Sequence, residues 1–367
     1  MEKFELSRGD SGNNRSMEGL RGFAVFLVFI VHFMTLVKPW VEKNSDLLEF
    51  AKSFHSIGNA GVDLFFVLSG YLIFGSLISR RQSFIKFMAR RIARIYPAFI
   101  VVFAAYLILS FAFPSENKIP TDATEGMIYL AQNFLLLPGI FPIDPMITVA
   151  WSLSYEMFYY LAIPLFIFLF GLRERSSAWR VIFFLSLALS ITAYCAFYGG
   201  HVRLIMFIAG ISLYESVNGL RVQPLPSYMG LLALFGGLLS TFIPIAGSEG
   251  IAIKASILFV SFYALCLTCF NSPSEWLSRA FSWTPLRYLG NMSYSYYLIH
   301  GLALKAGFLI LAKLFPASYY GDWLFWLMLP TMFTLTLLPA TTLFLLIERP
   351  FSLTKNQAIP SKIIVTP

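Results

Sequence analysis

The sequence predicts an all-α, polytopic integral membrane protein with about ten transmembrane helices, and three observations predict it. Of the 367 residues, 57% are hydrophobic and only 13% are charged, whereas soluble globular domains carry about 25% charged residues. Aromatic side chains, including 38 phenylalanines, are spread over the whole chain. Ten apolar segments approach the length of about 20 residues with which a helix crosses a bilayer. The composition therefore excludes an ordinary soluble domain.

The predicted spans follow from apolar runs bounded by polar loops. The sixth run is short for a span and the ninth is long. In chain order, the ten spans are residues 20–37, 61–79, 95–113, 147–171, 179–198, 203–218, 227–246, 251–270, 286–312 and 324–347. Three parts result: a cytoplasmic N-terminal segment at 1–19, a transmembrane domain at 20–350 and a cytoplasmic C-terminal tail at 351–367.

The distribution of basic residues predicts that both termini are cytoplasmic. With the N-terminus inside, 19 of the 27 lysines and arginines fall in cytoplasmic segments, as the positive-inside rule requires. The longest outer loop, residues 114–146, is instead acidic. The net charge of +8 therefore follows mostly from topology and indicates no nucleic-acid partner.

The three cysteines, Cys195, Cys266 and Cys269, all fall in predicted spans. The stretch CLTC at residues 266–269 has the spacing of half a zinc site, but no second half follows. We therefore expect packing cysteines and no metal site.

The first span contains RGFAVFLVFIVHF, in which an arginine and a histidine bracket ten uncharged residues. Arg21 and His32 are 11 positions apart, so on a helix their side chains point within about 20° of each other. The rise places His32 roughly 16 Å beyond Arg21, near the middle of the membrane. Histidine suits proton transfer near neutral pH. His32 is therefore the candidate general base.

Two other spans carry an ionisable residue at similar depth. Glu156 in WSLSYEMFYY lies roughly 13 Å from the outer end of the fourth span, and His300 lies roughly 20 Å from the inner end of the ninth. Such residues are costly in lipid and usually functional, although satisfied polar contacts between helices are the alternative. With His32 they predict a polar cavity. The candidates for its lining are His300, Asp63, Ser69, Tyr155, Trp151 and Tyr297; for Asp63, a packing or capping role is equally open.

A cluster of cations, RRQSFIKFMARRIARIYP, lies on the predicted inner face between spans two and three. Arg90 and Arg94 are i, i+4 neighbours and Arg91 lies on an adjacent face of a short helix that we expect to end at Pro97. The cluster either fixes topology and contacts anionic headgroups or binds phosphate groups of a ligand. No G-x-x-x-x-G-K-[ST] loop accompanies it.

Together these motifs resemble the membrane acyltransferase type 3 family. The similarity covers residues 17–351 and its pieces occur in the order found in the family. They are EGLRGFAVFLVFIVHF, GNAGVDLFFVLSGYLIF, FMARRIARIYP, WSLSYEMFYYLAIP, RLIMFIAGISLYE, LGNMSYSYYLIHG and IERPF.

The resemblance implies O-acylation, most often acetylation, of a hydroxyl on a cell-surface or exported glycan. Acyl-CoA, commonly acetyl-CoA, would be the cytoplasmic co-substrate, with no bound cofactor, and a bacterial inner membrane would be the location.

Arg21 and His32 match the essential Arg-x10-His pair of the family. Glu18 replaces a more usual aspartate, and Tyr155 stands where a small aliphatic residue is commoner. Some members carry a C-terminal hydrolase-like domain; here we expect a single transmembrane domain.

The other site residues also match motifs of the family. Arg90, Arg91 and Arg94 match an inner-face arginine motif associated with donor handling. Glu156 matches the acidic residue of a tryptophan-serine motif, and His300 matches the histidine of a tyrosine-rich motif. The resemblance thus assigns the donor to the inner face and the chemistry to the membrane interior.

The predicted mechanism has His32 taking the proton of the acceptor hydroxyl as it attacks the thioester. A covalent acyl-histidine is also open, and Glu156 would either hold the histidine tautomer or stabilise imidazolium. The alternative functions are a proton-coupled transporter or flippase of a sugar-lipid and a non-catalytic sensor. The expected partners are acyl-CoA, a glycan acceptor and membrane lipids; the acceptor, the acyl length and the oligomeric state stay open.

Overall fold

The computed structural model describes residues 4–5 and 15–354, and most of these residues are helical. No strand occurs in these ranges, and the nearest approach to one is an isolated bridge between Pro138 and Phe141. The all-α, polytopic fold class is therefore confirmed. Most of the predicted segment 1–19 and tail 351–367 lies outside the described residues.

Thirteen α-helices make up the described part of the chain. They are α1 (Arg15–Leu36), α2 (Asp46–Ile78), α3 (Phe84–Ala112), α4 (Ala123–Phe134), α5 (Trp151–Leu169), α6 (Ser177–Tyr198), α7 (Ile205–Tyr214), α8 (Ser227–Ser240), α9 (Gly247–Asn271), α10 (Trp276–Phe281), α11 (Thr284–Asn291), α12 (Ser293–Leu314) and α13 (Asp322–Leu343). Short 3₁₀ turns precede α5 and α7, and π-helical turns follow α7 and α13, at Glu215–Gly219 and Phe344–Thr354.

Each of the ten predicted spans corresponds to helix. Within residues 15–354, eight helices are long and apolar enough to cross a bilayer. The sixth and seventh predicted spans correspond to α7 and α8, which have only 10 and 14 residues. The long ninth span is in fact two helices, α11 and α12, which are separated at Met292.

Helix α3 differs from its prediction. The expected end of a short helix at Pro97 is wrong, because α3 runs through Pro97 from Phe84 to Ala112. A proline removes one backbone donor, but membrane helices tolerate it where neighbouring groups bond the local backbone. The carbonyl that Pro97 leaves without its helical donor is that of Ala93, and the Tyr294 hydroxyl anchors the adjacent turn by donating to the Ile95 carbonyl at 2.7 Å. The arginine cluster and the third span therefore form one rigid element.

Polar caps explain where several helices begin. The hydroxyls of Ser45, Ser83 and Ser176 accept backbone N–H groups at the starts of α2, α3 and α6. The Asp122 carboxylate does the same for α4, an outer helix inside the segment predicted as loop. Such caps satisfy N–H groups that have no partner within the helix.

Helix α1 lies at the centre of the bundle and packs against α2, α10, α11 and α12. Its contact with α11 is made by backbone: a Cβ on Gly22 would lie 2.0 Å from the Leu286 carbonyl oxygen, and one on Gly290 would lie 1.7 Å from that of Glu18. The same occurs between α2 and α7, where a Cβ on Gly210 would lie 2.0 Å from the Val67 oxygen. Small residues thus let membrane helices approach closely.

Three buried ion pairs hold the predicted inner end of the bundle together. Arg287 on α11 donates to Glu18 on α1 at 2.9 Å, and Arg180 on α6 binds Glu215 through two N–H groups. The third pair joins α3 to the π-helical turn after α13 and belongs to the site described below. Each carboxylate is almost fully buried, as charges in a membrane interior are when they are paired.

The contact between α1 and α11 predicts a large effect of a single methyl group. Gly290→Ala should destabilise the protein by about 1–3 kcal/mol, because the new Cβ forces two helix backbones apart. The measurement is the unfolding equilibrium of the purified protein in detergent micelles.

The matched control is Gly236→Ala on α8, where a Cβ would meet nothing within 4 Å. This control should leave stability unchanged or slightly raised, since alanine favours helix over glycine. Equal stability of both variants would contradict the close approach of α1 and α11.

Candidate functional site

Two histidines face each other inside the bundle. The rings of His32 on α1 and His300 on α12 lie 5.0 Å apart, centroid to centroid, in an edge-to-face arrangement. His300 is fully buried and His32 is partly buried. His32 therefore points toward α12 and the interior of the bundle, not into the surrounding lipid.

The hydrogen bonds of His300 define its tautomer. Its Nδ1 lies 2.8 Å from the carbonyl oxygen of Tyr297 and 3.0 Å from that of Tyr296. Carbonyl oxygens only accept, so Nδ1 carries the hydrogen and Nε2 keeps its lone pair. This Nε2 is buried and has no hydrogen-bond partner among residues 4–5 and 15–354. His300 thus presents a buried acceptor nitrogen beside His32.

A cavity of about 90 Å³ lies between α1, α2, α3, α5 and α12. We call it the inner cavity. Four of the predicted site residues line it, namely Arg21, Arg94, Glu156 and Tyr297, together with the predicted lining residue Ser69. Its remaining lining is formed by Val62, Phe65, Phe66, Ile95, Ser152, Leu153, Tyr160, Ser293 and Tyr294. The wall therefore contains five aromatic rings, two arginines and one carboxylate.

Tyr297 links the inner cavity to the histidine pair. Its ring lies in the cavity wall and 6.1 Å from the ring of His300, centroid to centroid. Its hydroxyl is held 2.7 Å from the Ser152 hydroxyl and donates to the Val149 carbonyl at 3.0 Å. The position of Tyr297 is thus fixed by α5 and the turn before it.

The predicted grouping of His32, Glu156 and His300 in one cavity needs correction. The histidines lie next to each other, but neither is among the lining of the inner cavity, whereas Arg21 and Glu156 are. Arg21 and His32 share a helix side yet are separated by roughly 16 Å of helix rise, more than a small cavity spans. Glu156 instead accepts a hydrogen bond from Tyr160, one turn further along α5.

The other predicted lining residues lie toward a second cavity. Asp63 lines that second cavity and not the inner one. Trp151 and Tyr155 line neither; their rings lie 5.6 Å apart, and Tyr155 stacks on Phe66 at 5.5 Å. These aromatic rings lie between the two cavities.

The three arginines of α3 have different surroundings. Arg94 lines the inner cavity and donates to Glu348 at 2.6 Å. Arg91 donates to the Ser76 hydroxyl at 3.0 Å and lies over the rings of Phe87 and Tyr160. Arg90 is partly exposed at the inner end of the helix. Only part of the cluster is therefore open to a ligand.

Glu348 is a residue that the sequence analysis missed. It is fully buried in the π-helical turn after α13, where it accepts from Arg94 and from the backbone N–H of Ser295 at 3.0 Å. Its signal in the sequence is the motif IERPF, a carboxylate inside an apolar run. Glu348 fixes the Arg94 guanidinium at the cavity wall and joins α3, α12 and the last turn.

The structure shows no arrangement typical of a metal site. Within its described residues, no group of three or more His, Cys, Asp or Glu side chains is placed to hold a metal ion. Cys195, Cys266 and Cys269 are each buried and form no disulfide there.

Comparison with known proteins gives one family match. A family model described as an acyltransferase domain matches residues 14–346. The chain is 26% identical over 321 residues to the peptidoglycan O-acetyltransferase OatA of Listeria monocytogenes, covering 78% of this chain and 48% of that protein. It is 26% identical over 317 residues to the O-acetyltransferase OatA of Staphylococcus aureus, covering 77% and 49%.

The chain therefore spans about half the length of the curated relatives it matches. No solved structure matches it.

The buried pair of Arg94 and Glu348 predicts a strong dependence of stability on the carboxylate. Glu348→Ala should destabilise the protein by about 3–5 kcal/mol, because it leaves a buried cation without its partner. Equilibrium unfolding in detergent micelles measures this loss.

The control is Glu174→Ala, which removes a carboxylate 3.9 Å from Arg81 in a pair whose side chains are largely exposed. It should change stability by less than about 0.5 kcal/mol. A Glu348→Ala protein as stable as this control would show that the buried pair does not hold the inner end of the bundle together.

Proposed function

Because the chain belongs to the acyltransferase-domain family, we propose that it transfers an acyl group from acyl-CoA to a hydroxyl of a cell-wall or other exported glycan. The acyl group is most simply acetyl, and the location is a bacterial cytoplasmic membrane. The names of the relatives, peptidoglycan O-acetyltransferase and O-acetyltransferase, support this substrate class. The observation that carries the proposal is the His32–His300 pair beside a cavity containing Arg21 and Glu156.

His32 acts as the general base in this proposal. The ring of His32 lies 5.0 Å from that of His300, centroid to centroid, and one nitrogen of its neutral imidazole is unprotonated. That nitrogen takes the proton of the acceptor hydroxyl as its oxygen attacks the thioester carbonyl. The C–S bond then breaks, and CoA leaves as a thiolate that His32 reprotonates. Positioned base catalysis of this kind contributes about 10²–10⁴-fold to the rate.

The inner cavity supplies charges that suit the donor. Arg21 lies roughly 16 Å along α1 from His32, so its guanidinium suits an anionic part of the donor in the inner cavity and not the reacting carbonyl. Glu156 is held by the Tyr160 hydroxyl and balances the cationic wall. Tyr297 lines this cavity and also contacts the ring of His300.

Acyl-CoA enters from the predicted inner face in this proposal. Arg90 and Arg91 lie at the inner end of α3, where guanidinium groups suit the phosphates of CoA. Arg94 is held in its ion pair with Glu348 and shapes the cavity wall instead of binding phosphate freely. The phosphates of the donor thus bind at the inner end of α3, and its acyl end extends through the inner cavity toward the acyl-transfer site.

Acyl transfer should depend on His32. Purified protein in liposomes, given radiolabelled acetyl-CoA and glycan, should label the glycan, and His32→Ala should reduce the rate by about 10²–10⁴-fold. Thr35→Ala, at an exposed position of the same helix α1, serves as the control and should keep wild-type activity.

Equal transfer by the wild-type and His32→Ala proteins would remove His32 from the chemistry. Proton-dependent sugar flux without any acylation would instead identify a transporter.

Binding of CoA should depend on the two arginines that remain open to a ligand. The double variant Arg90→Gln, Arg91→Gln should bind CoA about tenfold more weakly or worse, because each charge-assisted contact with phosphate is strong. Calorimetric titration of the detergent-purified protein with CoA measures the affinity. Arg94 is left intact so that its ion pair does not confound the result.

Arg81→Gln is the control, since its side chain is 85% exposed in the neighbouring loop. If the double variant bound CoA as tightly as this control, the arginines would serve only topology.

A further inference from the structure

A second cavity, of about 200 Å³, lies between α2, the start of α7, the end of α8 and α9. We call it the outer cavity. Its polar lining residues are Ser56, Asn59, Asp63, Arg203, Thr241 and Lys254. Since α8 runs toward the predicted outer face and α9 returns from it, Thr241 and Lys254 place this cavity at the outer end of the bundle. The predicted mechanism has no use for it.

Lys254 is a cation within the membrane helix α9, whose first turn also carries the exposed Glu249. It lies seven residues into α9, roughly 10 Å from the start of the helix. No carboxylate pairs with it in the part of the chain that the structure describes. A lysine at such a position is costly and points to a ligand or an ion path.

Asp63 and Arg203 supply the other two charges of the outer cavity. Asp63 is 2% exposed, and its Oδ1 has no hydrogen-bond partner in the described residues. The Nε of Arg203 lies 3.7 Å from that oxygen, which is too far for a hydrogen bond. The guanidinium also lies 5.7 Å from the ring centre of Trp151, which orients it. A buried acceptor therefore faces the cavity without a donor.

The outer cavity thus holds two cations against one carboxylate. The excess of one positive charge matches a monoanion, and a carboxylate is a monoanion at neutral pH. A phosphate monoester carries about −1.5 to −2 and would leave uncompensated negative charge. The hydroxyl and amide groups of Ser56, Asn59 and Thr241 match the hydroxyls of a sugar.

We propose that the outer cavity binds the acceptor through a carboxylate-bearing sugar residue. Lys254 and Arg203 bind the carboxylate, and Asp63 accepts hydrogen bonds from sugar hydroxyls. The proposal rests on acyl transfer to a glycan and names the class of acceptor. Asp63 is one helical turn from Phe66, which lines the inner cavity, so the two cavities lie about one turn apart along α2.

The test is a titration of the full-length protein in detergent with glucuronate, glucose and glucose 1-phosphate, without any acyl donor. Glucuronate should bind at least about tenfold more tightly than glucose, because the carboxylate gains charge-assisted bonds. Lys254→Gln should weaken glucuronate binding by about tenfold or more while leaving glucose binding unchanged, and Lys254→Arg should retain the preference. Lys52→Gln, at an exposed lysine of α2, should bind like the wild type.

Three results would overturn the proposal: glucuronate binding no tighter than glucose, unchanged glucuronate affinity in Lys254→Gln, or tighter binding of glucose 1-phosphate. The retained preference of Lys254→Arg separates loss of the cation from loss of folding. His32→Ala should still bind glucuronate. Failure of acyl transfer with intact glucuronate binding would therefore reject the proposed reaction alone. Intact acyl transfer without a preference for glucuronate would reject the acceptor site alone.

Discussion

The rest of the structure depends on the close packing of α1 against its neighbours. Gly22 on α1 and Gly290 on α11 allow backbone to touch backbone, and Gly58 and Gly61 on α2 do the same on another side of α1. In lipid, association of helices draws on such contacts because lipid tails are as apolar as the side chains. Since α1 carries both Arg21 and His32, this packing sets where the guanidinium meets the inner cavity and where the imidazole meets His300.

Much of this arrangement could be predicted from single helices. The apolar runs gave the all-α fold, and the spacing of Arg21 and His32 gave a shared helix side, because both follow from helical geometry alone. The partner of each residue could not be predicted in this way. Glu348 reaches Arg94 across 254 positions, and His300 reaches His32 across most of the chain. Such pairs are set by how helices pack, which periodicity does not encode.

The errors have local physical causes. Pro97 did not end α3, because a helix inside a membrane bundle tolerates the loss of one backbone donor, and Tyr294 from a distant helix anchors the adjacent turn. The ninth span divided at Met292, so that α11 could pack on α1 while α12 carries His300 and Tyr297. The predicted depths follow from helix rise alone, yet a similar predicted depth did not place His32, Glu156 and His300 together along the inner cavity. The position of each residue around the bundle axis determines which cavity it lines.

The aromatic rings between the two cavities have a consequence for the cell. Phe66, which lines the inner cavity, stacks on Phe207 at 4.7 Å, and Phe207 stacks on Tyr159 at 4.1 Å. These rings form a continuous stack inside the bundle. A membrane that hosts this protein must still hold its voltage and its proton gradient. Stacked rings at this point suit such a seal, so any motion that joins the two cavities has to occur without opening a continuous water wire.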